Sequence, residues 1–132
     1  MSNIVNTIDE YEALIEECST HLFTVQIPES LAMEIVADYP EHREALARNK
    51  TISEPVIRKL ALDEDPEVRW RISHKRATPP DVQIELASDP SEDVRSGICR
   101  NPKVPREALE ILAEDSVDWI REDARERLNS RD

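Results

Sequence analysis

The chain has 132 residues, of which one is glycine and only 4% are aromatic. This composition favours helices and disfavours β-sheets, whose turns and strands use glycine and β-branched or aromatic residues. No apolar run is long enough to cross a membrane, and the N-terminus lacks the basic and apolar segments of a signal peptide. Two cysteines are too few for a disulfide framework, so we expect a cytoplasmic protein that does not bind membranes.

The net charge of −12 is concentrated in the first third of the chain, because residues 1–42 contain nine acidic residues and no lysine or arginine. In this region Thr7 and Glu10 form a capping box, and an apolar stripe at helical spacing runs from Ile8 to Cys18. We therefore predict an N-terminal capping helix within residues 1–26. Its acidic outer surface has two interpretations, solubility alone or the docking of a basic partner.

A repeat with a period of 26 residues follows the N-terminal segment. Three copies without gaps share Leu-Ala-x-Asp and an arginine six residues after the aspartate, and an earlier copy fits from Ile27 with one residue deleted. The aspartates and arginines of the three copies are Asp63 and Arg69, Asp89 and Arg95, and Asp115 and Arg121. Such regular spacing indicates a stack of repeated supersecondary units.

Each copy is predicted to contain two short helices, because prolines and capping residues punctuate it. One helix of each pair starts at Ser53, at Thr78-Pro79-Pro80 or at Pro105, and the next one starts at Asp65-Pro66, at Asp89-Pro90-Ser91 or at Asp115-Ser116. The inward residues of these next helices are Val68, Ile72, Val94, Ile98, Ile120 and Ala124. We expect an all-α single domain over residues 1–132, a right-handed α-α superhelix (solenoid) with about four repeats over 27–128 that end in a C-terminal capping helix.

The segment from Arg100 to Pro105, which continues into Leu109, Leu112-Ala113 and Asp115, resembles the repeat of the leucine-rich repeat variant family. HEAT-like repeats carry a similar pattern, but their units are longer. The resemblance covers residues 27–128 and implies that α-helices alternate with short 3₁₀ helices. Some members of the family carry an iron–sulfur cluster on an N-terminal cysteine group. Because Cys18 is the one cysteine in that region, and a cluster needs about four thiolates, we expect no cofactor.

The Asp/Arg pairs are the most regular polar feature of the sequence. An aspartate at a helix start accepts backbone N–H bonds, and the arginine can reach the aspartate or a loop carbonyl of the adjacent repeat. We predict a structural ladder rather than a catalytic carboxylate, because an active site would not recur in every repeat. The three histidines have no metal-ligand spacing, and neither a phosphate loop nor a nucleophile turn occurs. No catalytic or metal-binding residue is therefore assigned, and an enzyme is not expected.

Positions that differ between repeats are candidates for partner binding. Trp70 takes a position held by Glu44, Ser96 and Glu122 in the other copies, which predicts an exposed side chain. An exposed tryptophan beside arginine is typical of a binding hot spot. The candidate binding residues are Arg48, Trp70, Arg71, His74, Lys75 and Arg100. In the alternative interpretation, Trp70 covers its own helix pair and the basic residues balance neighbouring acids. Trp119 is expected to shield the C-terminal end of the core.

The leading hypothesis is a non-catalytic helical-repeat protein that binds another protein or a peptide on a preorganised surface. The alternative is an acidic inhibitor of the immunity-protein or antitoxin type, whose N-terminal third covers a basic partner. A nucleic-acid-processing enzyme is disfavoured, because the basic row is short and the chain is acidic, so no nucleic acid is expected as a ligand.

Overall fold

The computed structural model describes residues 3–131, and this part of the chain contains nine α-helices, two short 3₁₀ helices and no β-strand. The α-helices are α1 (Ile8–Glu16), α2 (Glu29–Asp38), α3 (Arg43–Arg48), α4 (Glu54–Leu60), α5 (Pro66–Ser73), α6 (Pro80–Leu86), α7 (Glu92–Arg100), α8 (Arg106–Leu112) and α9 (Asp118–Arg131). The predicted all-α class is therefore confirmed. Over the same residues, no helix is both long and apolar enough to cross a bilayer.

Capping residues and prolines set the helix starts. The Thr7 hydroxyl accepts the Glu10 N–H at 3.2 Å in front of α1, and the Asp65 carboxylate accepts the Glu67 N–H at 2.9 Å in front of α5. From residue 54 onward every helix is α-helical, and the 3₁₀ helices are confined to Thr20–Phe23 and Pro40–His42. The strict α/3₁₀ alternation that the resemblance implies therefore does not occur in the described repeats.

The chain divides into two compact units with the boundary between Leu60 and Ala61. In the N-terminal unit α2 packs against α3 and α4, and extended residues pair across the start of the chain, where Val5 N–H donates to the Gln26 carbonyl at 3.0 Å. The core of this unit is aliphatic, apart from one fully buried tyrosine. It consists chiefly of Tyr11, Leu22, Leu31, Ile35, Leu46, Val56, Ile57 and Leu60.

In the C-terminal unit α7 lies between α5 and α9, and α6 and α8 pack against each other and against α7. The helices α5 and α7 are parallel, because Arg69 contacts Asp89 near their N-terminal ends and Asn101 contacts Ser73 at their C-terminal ends. The six residues predicted to point inward are all buried. They are Val68, Ile72, Val94, Ile98, Ile120 and Ala124.

Candidate interaction surface

The predicted ladder residues are brought together in the C-terminal unit. The Arg69 guanidinium donates to both carboxylate oxygens of Asp89, at 2.9 and 3.2 Å, and to the carbonyl of Asp63 at 2.7 Å. One copy later, Arg95 donates to the Asp115 carboxylate at 2.8 Å and to the Asp89 carbonyl at 2.9 Å. Each arginine thus joins the loop before its own helix to the aspartate of the next copy.

The ladder carboxylates are committed to structure. The Asp89 and Asp115 side chains are only 6% and 5% exposed, and each also accepts a loop N–H, from Ser91 and Val117 respectively, at 2.9 Å. The last arginine of the series, Arg121, donates to the Asp115 carbonyl at 2.8 Å. Arginine cations and backbone donors therefore surround the Asp89 and Asp115 carboxylates.

Two fully buried asparagines form a second set of repeated contacts, which was not predicted from the sequence. Asn101 donates to the carbonyls of Ser73 and Lys75, both at 2.9 Å, and accepts the Lys103 N–H at 2.8 Å. In the N-terminal unit the side-chain amide of Asn49 donates to the carbonyls of Leu22 and Val25, at 3.0 and 2.9 Å. The sequence contains a signal for these contacts, because Asn49 and Asn101 occupy the same repeat position two periods apart.

Trp70 on α5 is half-buried, not exposed as its variable repeat position predicts. Its indole Cδ1 lies 3.4 Å from the β-position of Gly97, so the ring packs against α7 at this residue. The ring centroid lies 4.6 Å from that of His74, and the Arg71 guanidinium carbon lies 4.5 Å above it. The Trp70 ring is therefore packed against its neighbours, and the Arg71 guanidinium lies over one of its faces.

His74 is held against the same ring at the C-terminal end of α5. Its Nδ1–H donates to the Trp70 carbonyl at 2.7 Å, which fixes the orientation of the imidazole. Burial lowers the pKa of His74; the Trp70 carbonyl opposes this shift, and the positive charges of Arg71 and Lys75 reinforce it. The side chain is therefore neutral near pH 7.

Trp119, at the start of α9, is the more exposed of the two tryptophans, with 42% of its surface accessible. Its position in the last repeat predicts that it shields the core, but its indole N–H donates to Glu92 at 3.3 Å, and the Arg100 guanidinium carbon lies 5.4 Å from its ring centroid. It thus lies on the outer surface of α7, between the two ends of that helix.

The two tryptophans flank one helix face. Residues 92, 96 and 100 are spaced four apart and lie on the outward face of α7. Trp70 approaches this helix at Gly97, on the side that faces α5, whereas Trp119 approaches from α9. We call the set Trp70, Arg71, His74, Arg100 and Trp119 the tryptophan–arginine face.

The remaining predicted binding residues lie around or apart from this face. Lys75 is half-buried in the loop after α5, beside His74. Arg48 belongs to the N-terminal unit, where its guanidinium carbon lies 4.0 Å from the ring centroid of Phe23. Within the C-terminal unit, Arg71 and His74 therefore lie against Trp70, and Arg100 lies beside Trp119.

The N-terminal unit contains an acidic groove of about 440 Å³ between its extended first residues and α1. Ile4, Leu14 and Val25 contribute apolar walls, and Glu10 and Glu17 lie on the α1 side. These two glutamates are seven residues apart, so they are about 10 Å from each other along the helix. The residues that line the groove include no arginine or lysine.

No group of three or more His, Cys, Asp or Glu side chains that could hold a metal ion occurs within residues 3–131. Both cysteines are free thiols, Cys18 on the surface and Cys99 in the core. Comparison of the chain with protein-family models, with curated proteins and with solved structures finds no match.

Proposed function

We propose that this chain is a cytoplasmic, non-catalytic interaction module that binds another protein or a peptide through the tryptophan–arginine face. The observation that carries the proposal is the exposed Trp119 ring with the Arg100 guanidinium beside it. Tryptophan and arginine dominate the binding energy of many interfaces, because they bury a large area and can also donate hydrogen bonds. The free thiols of Cys18 and Cys99 agree with a reducing compartment.

A preorganised surface is the proposed mechanism. Trp70 packs against His74 and the Arg71 guanidinium, and Arg100 is positioned against Trp119 before any partner arrives. Side chains that are already ordered lose less conformational entropy on binding, which leaves more of the contact energy for affinity. The absence of catalysis is part of the proposal, since the repeated carboxylates already bind arginine and backbone N–H groups.

We further propose that the helix pairs stack as a right-handed solenoid with a 26-residue period, as in proteins of the leucine-rich repeat variant family. Support comes from the Arg–Asp contact, which recurs at that period from Arg69 to Arg95, and from the two asparagines at equivalent positions. The solenoid would be contradicted by a crystal structure in which no single rotation and translation relates each helix pair to the next.

The test of the binding function is affinity capture from native lysate with the tagged full chain. Trp119→Ala and Arg100→Ala should each abolish capture of a stoichiometric partner, because both side chains are on the surface. Leu62→Ala is the matched control, since Leu62 is an exposed apolar residue, 78% accessible, outside the proposed face. Equal capture by the wild type and the Trp119 variant would refute the assignment of the face.

The acidic groove supports a second candidate function, an inhibitor that covers a basic partner. Residues 1–42 carry nine acids without a lysine or arginine, and such a surface accelerates association with a cationic target. Binding of that kind should weaken steeply with salt and should be lost in Glu10→Gln/Glu17→Gln. Capture that survives both changes but is lost in Trp119→Ala would exclude the inhibitor in favour of the first proposal.

A further inference from the structure

One edge of the C-terminal unit is basic although the chain as a whole is acidic. The loops after α5 and α7 fall within residues 73–80 and 99–106, which contain no aspartate or glutamate. The cations of these two segments are Lys75, Arg76, Arg100, Lys103 and Arg106. We call the two loops the basic edge. In a protein with a net charge of −12, such a concentration of cations is a specific feature of this edge.

The two loops are held together by buried hydrogen bonds. Asn101, in the second loop, donates to the carbonyls of Ser73 and Lys75 in the first. Within the first loop Thr78 donates to the Ile72 carbonyl at 2.6 Å. The Gln83 amide joins the two loops, because it donates to the carbonyls of Thr78 at 3.0 Å and Lys103 at 3.4 Å. The cations therefore project from a rigid base, which lowers the entropic cost of binding a ligand across both loops.

The basic edge is continuous with the tryptophan–arginine face, because Arg100 and His74 belong to both. Arg76, Arg100 and Lys103 are exposed, whereas Arg106 already contacts Glu110 at 3.2 Å. Asp81 and Glu107 follow in the first turns of α6 and α8, so the cations still outnumber the acids in this region. A ligand bound at Trp119 would therefore lie close to Arg100 and, along the edge, to the exposed Arg76 and Lys103.

We propose that the partner segment is an acidic peptide that places carboxylates on the basic edge and an aromatic or aliphatic side chain against Trp119. This inference rests on the proposed function and specifies the chemistry of the partner. Arg100 is suited to the role, since a guanidinium that lies beside an indole ring can still bind a carboxylate through two parallel hydrogen bonds. The exposed indole surface supplies the apolar part of the contact.

A peptide fits this surface better than a nucleic acid. Nucleic acid binding draws its affinity from many phosphate contacts along an extended run of cations. Here the exposed cations are few and occupy two short loops, and the rest of the molecule carries an excess of negative charge that would repel a long polyanion. A short acidic segment requires only the local positive potential of the edge.

The experiment uses a fluorescent peptide of about twelve residues, about 40 Å long when extended, in which glutamates flank one phenylalanine. Binding to the full chain is measured by fluorescence anisotropy, and the indole N–H signals are followed by ¹H–¹⁵N NMR. The chain has two tryptophans, so Trp119 gives one of two indole signals, assigned with Trp119→Phe. We expect binding and a shift of the Trp119 signal.

Three comparisons make the result specific. The peptide with glutamine in place of glutamate should bind about tenfold more weakly or not at all. Lys75→Glu/Lys103→Glu should cause a similar loss, whereas Arg58→Glu/Lys59→Glu, the same change of net charge on exposed residues of α4, should not. Circular dichroism of both variants controls for folding.

The outcomes separate this inference from the proposed function. No binding at about 1 mM peptide, equal binding of the glutamine peptide, or tighter binding of a single-stranded oligonucleotide would each overturn the acidic-peptide proposal. If the captured lysate partner depended on Trp119 while Lys75→Glu/Lys103→Glu bound it normally, the interaction face would stand and its acidic ligand would be wrong. If Trp119→Ala left capture unchanged, the proposed function itself would fail.

Discussion

The β-position of Gly97 on α7 faces Ser73 on α5 so closely that a methyl group there would overlap the Ser73 hydroxyl oxygen and lie 3.1 Å from the Ser73 Cβ. Gly97 is the one glycine of the chain, and it occupies a helix interior, where glycine costs about 1 kcal/mol relative to alanine. The close approach of α5 and α7 explains why this cost is tolerated.

Gly97→Ala should therefore destabilise the protein, although alanine has the higher helix propensity. Both Ser73 and Gly97 are buried, so the added methyl group must displace the helix or its neighbours, at a net cost of about 1–2 kcal/mol. Urea unfolding of Gly97→Ala, Ser73→Ala and the double variant measures the effect. Because Ser73→Ala removes the overlapping oxygen, the penalty should be smaller in the double variant. A Gly97→Ala protein as stable as the wild type would contradict the close packing of α5 on α7.

Arg95→Lys should weaken the ladder although the charge is kept. One ammonium cannot reproduce the guanidinium that binds the Asp115 carboxylate and the Asp89 carbonyl together. We expect a loss of about 2 kcal/mol of unfolding free energy, since hydrogen bonds to a charged, largely buried group are lost. Arg58→Lys is the control, because Arg58 forms an exposed pair with Glu54 at 3.6 Å. Equal stability of the two variants would show that the ladder contributes no specific stabilisation.

Asn101→Asp should be more destabilising than Asn101→Ala. The aspartate has the same shape, but its carboxylate would face the carbonyl oxygens of Ser73 and Lys75 without a proton to donate. A buried charge without compensation costs about 3 kcal/mol or more. Thermal and urea unfolding at neutral pH give the comparison, with Asn129→Asp on the exposed surface of α9 as the control. The opposite order of the two Asn101 variants would argue against the amide orientation.

His74 should make the protein less stable as the pH falls. Burial lowers the pKa of folded His74, so between that value and its ordinary value near 6.5 the unfolded chain binds more protons than the folded one. Stability contributed by neutral His74 is thus present above about pH 6.5 and is lost on acidification. The free energy of unfolding, measured at about pH 7.5 and 5.5, should fall more in the wild type than in His74→Gln. His21→Gln, at an exposed position, should follow the wild type. A constant difference between wild type and His74→Gln would refute the assignment.

The two thiols should differ sharply in reactivity. Cys99 is fully buried and donates to Asp123 at 3.2 Å, and burial together with this carboxylate raises the pKa of its thiol to about 12. Because only the thiolate reacts, a disulfide reagent at neutral pH should modify one exposed thiol quickly, Cys18, and Cys99 only on unfolding. Cys18→Ser should remove the fast phase alone. Two fast equivalents in the native wild type would place Cys99 at the surface.

The fold class and the helix starts follow from the sequence where local chemistry decides them. Val94 and Ile98 are spaced for one buried helix face, and the 26-residue period places Arg69 opposite the aspartate of the next copy. The start of α9 shows where local chemistry misleads. The sequence predicts it at Asp115-Ser116, but the Asp115 carboxylate accepts the Val117 N–H in a turn, and the helix begins at Asp118.

The exposure of the tryptophans depends on tertiary contacts and could not be obtained from repeat positions. Trp70 is half-buried because its ring packs against α7 near Gly97, 27 residues away in sequence, and against His74. Trp119 remains accessible because it packs outward along Glu92 and Arg100 instead of over the core. In both cases contacts with a neighbouring helix determine how exposed the ring is. An alignment of the repeats gives only the position of the residue within its repeat.

The parallel course of α5 and α7 has an electrostatic consequence at distances greater than contact. Acidic residues lie before and within the first turns of these helices, such as Asp65 and Glu92, and basic residues follow their last turns, such as Lys75 and Lys103. The unit therefore carries a dipole on top of its net negative charge, and an approaching anionic segment experiences a torque as well as repulsion. Such a segment would be rotated toward the positive pole as it approached, and salt at about 0.1 M would screen this orienting force at separations greater than about 10 Å.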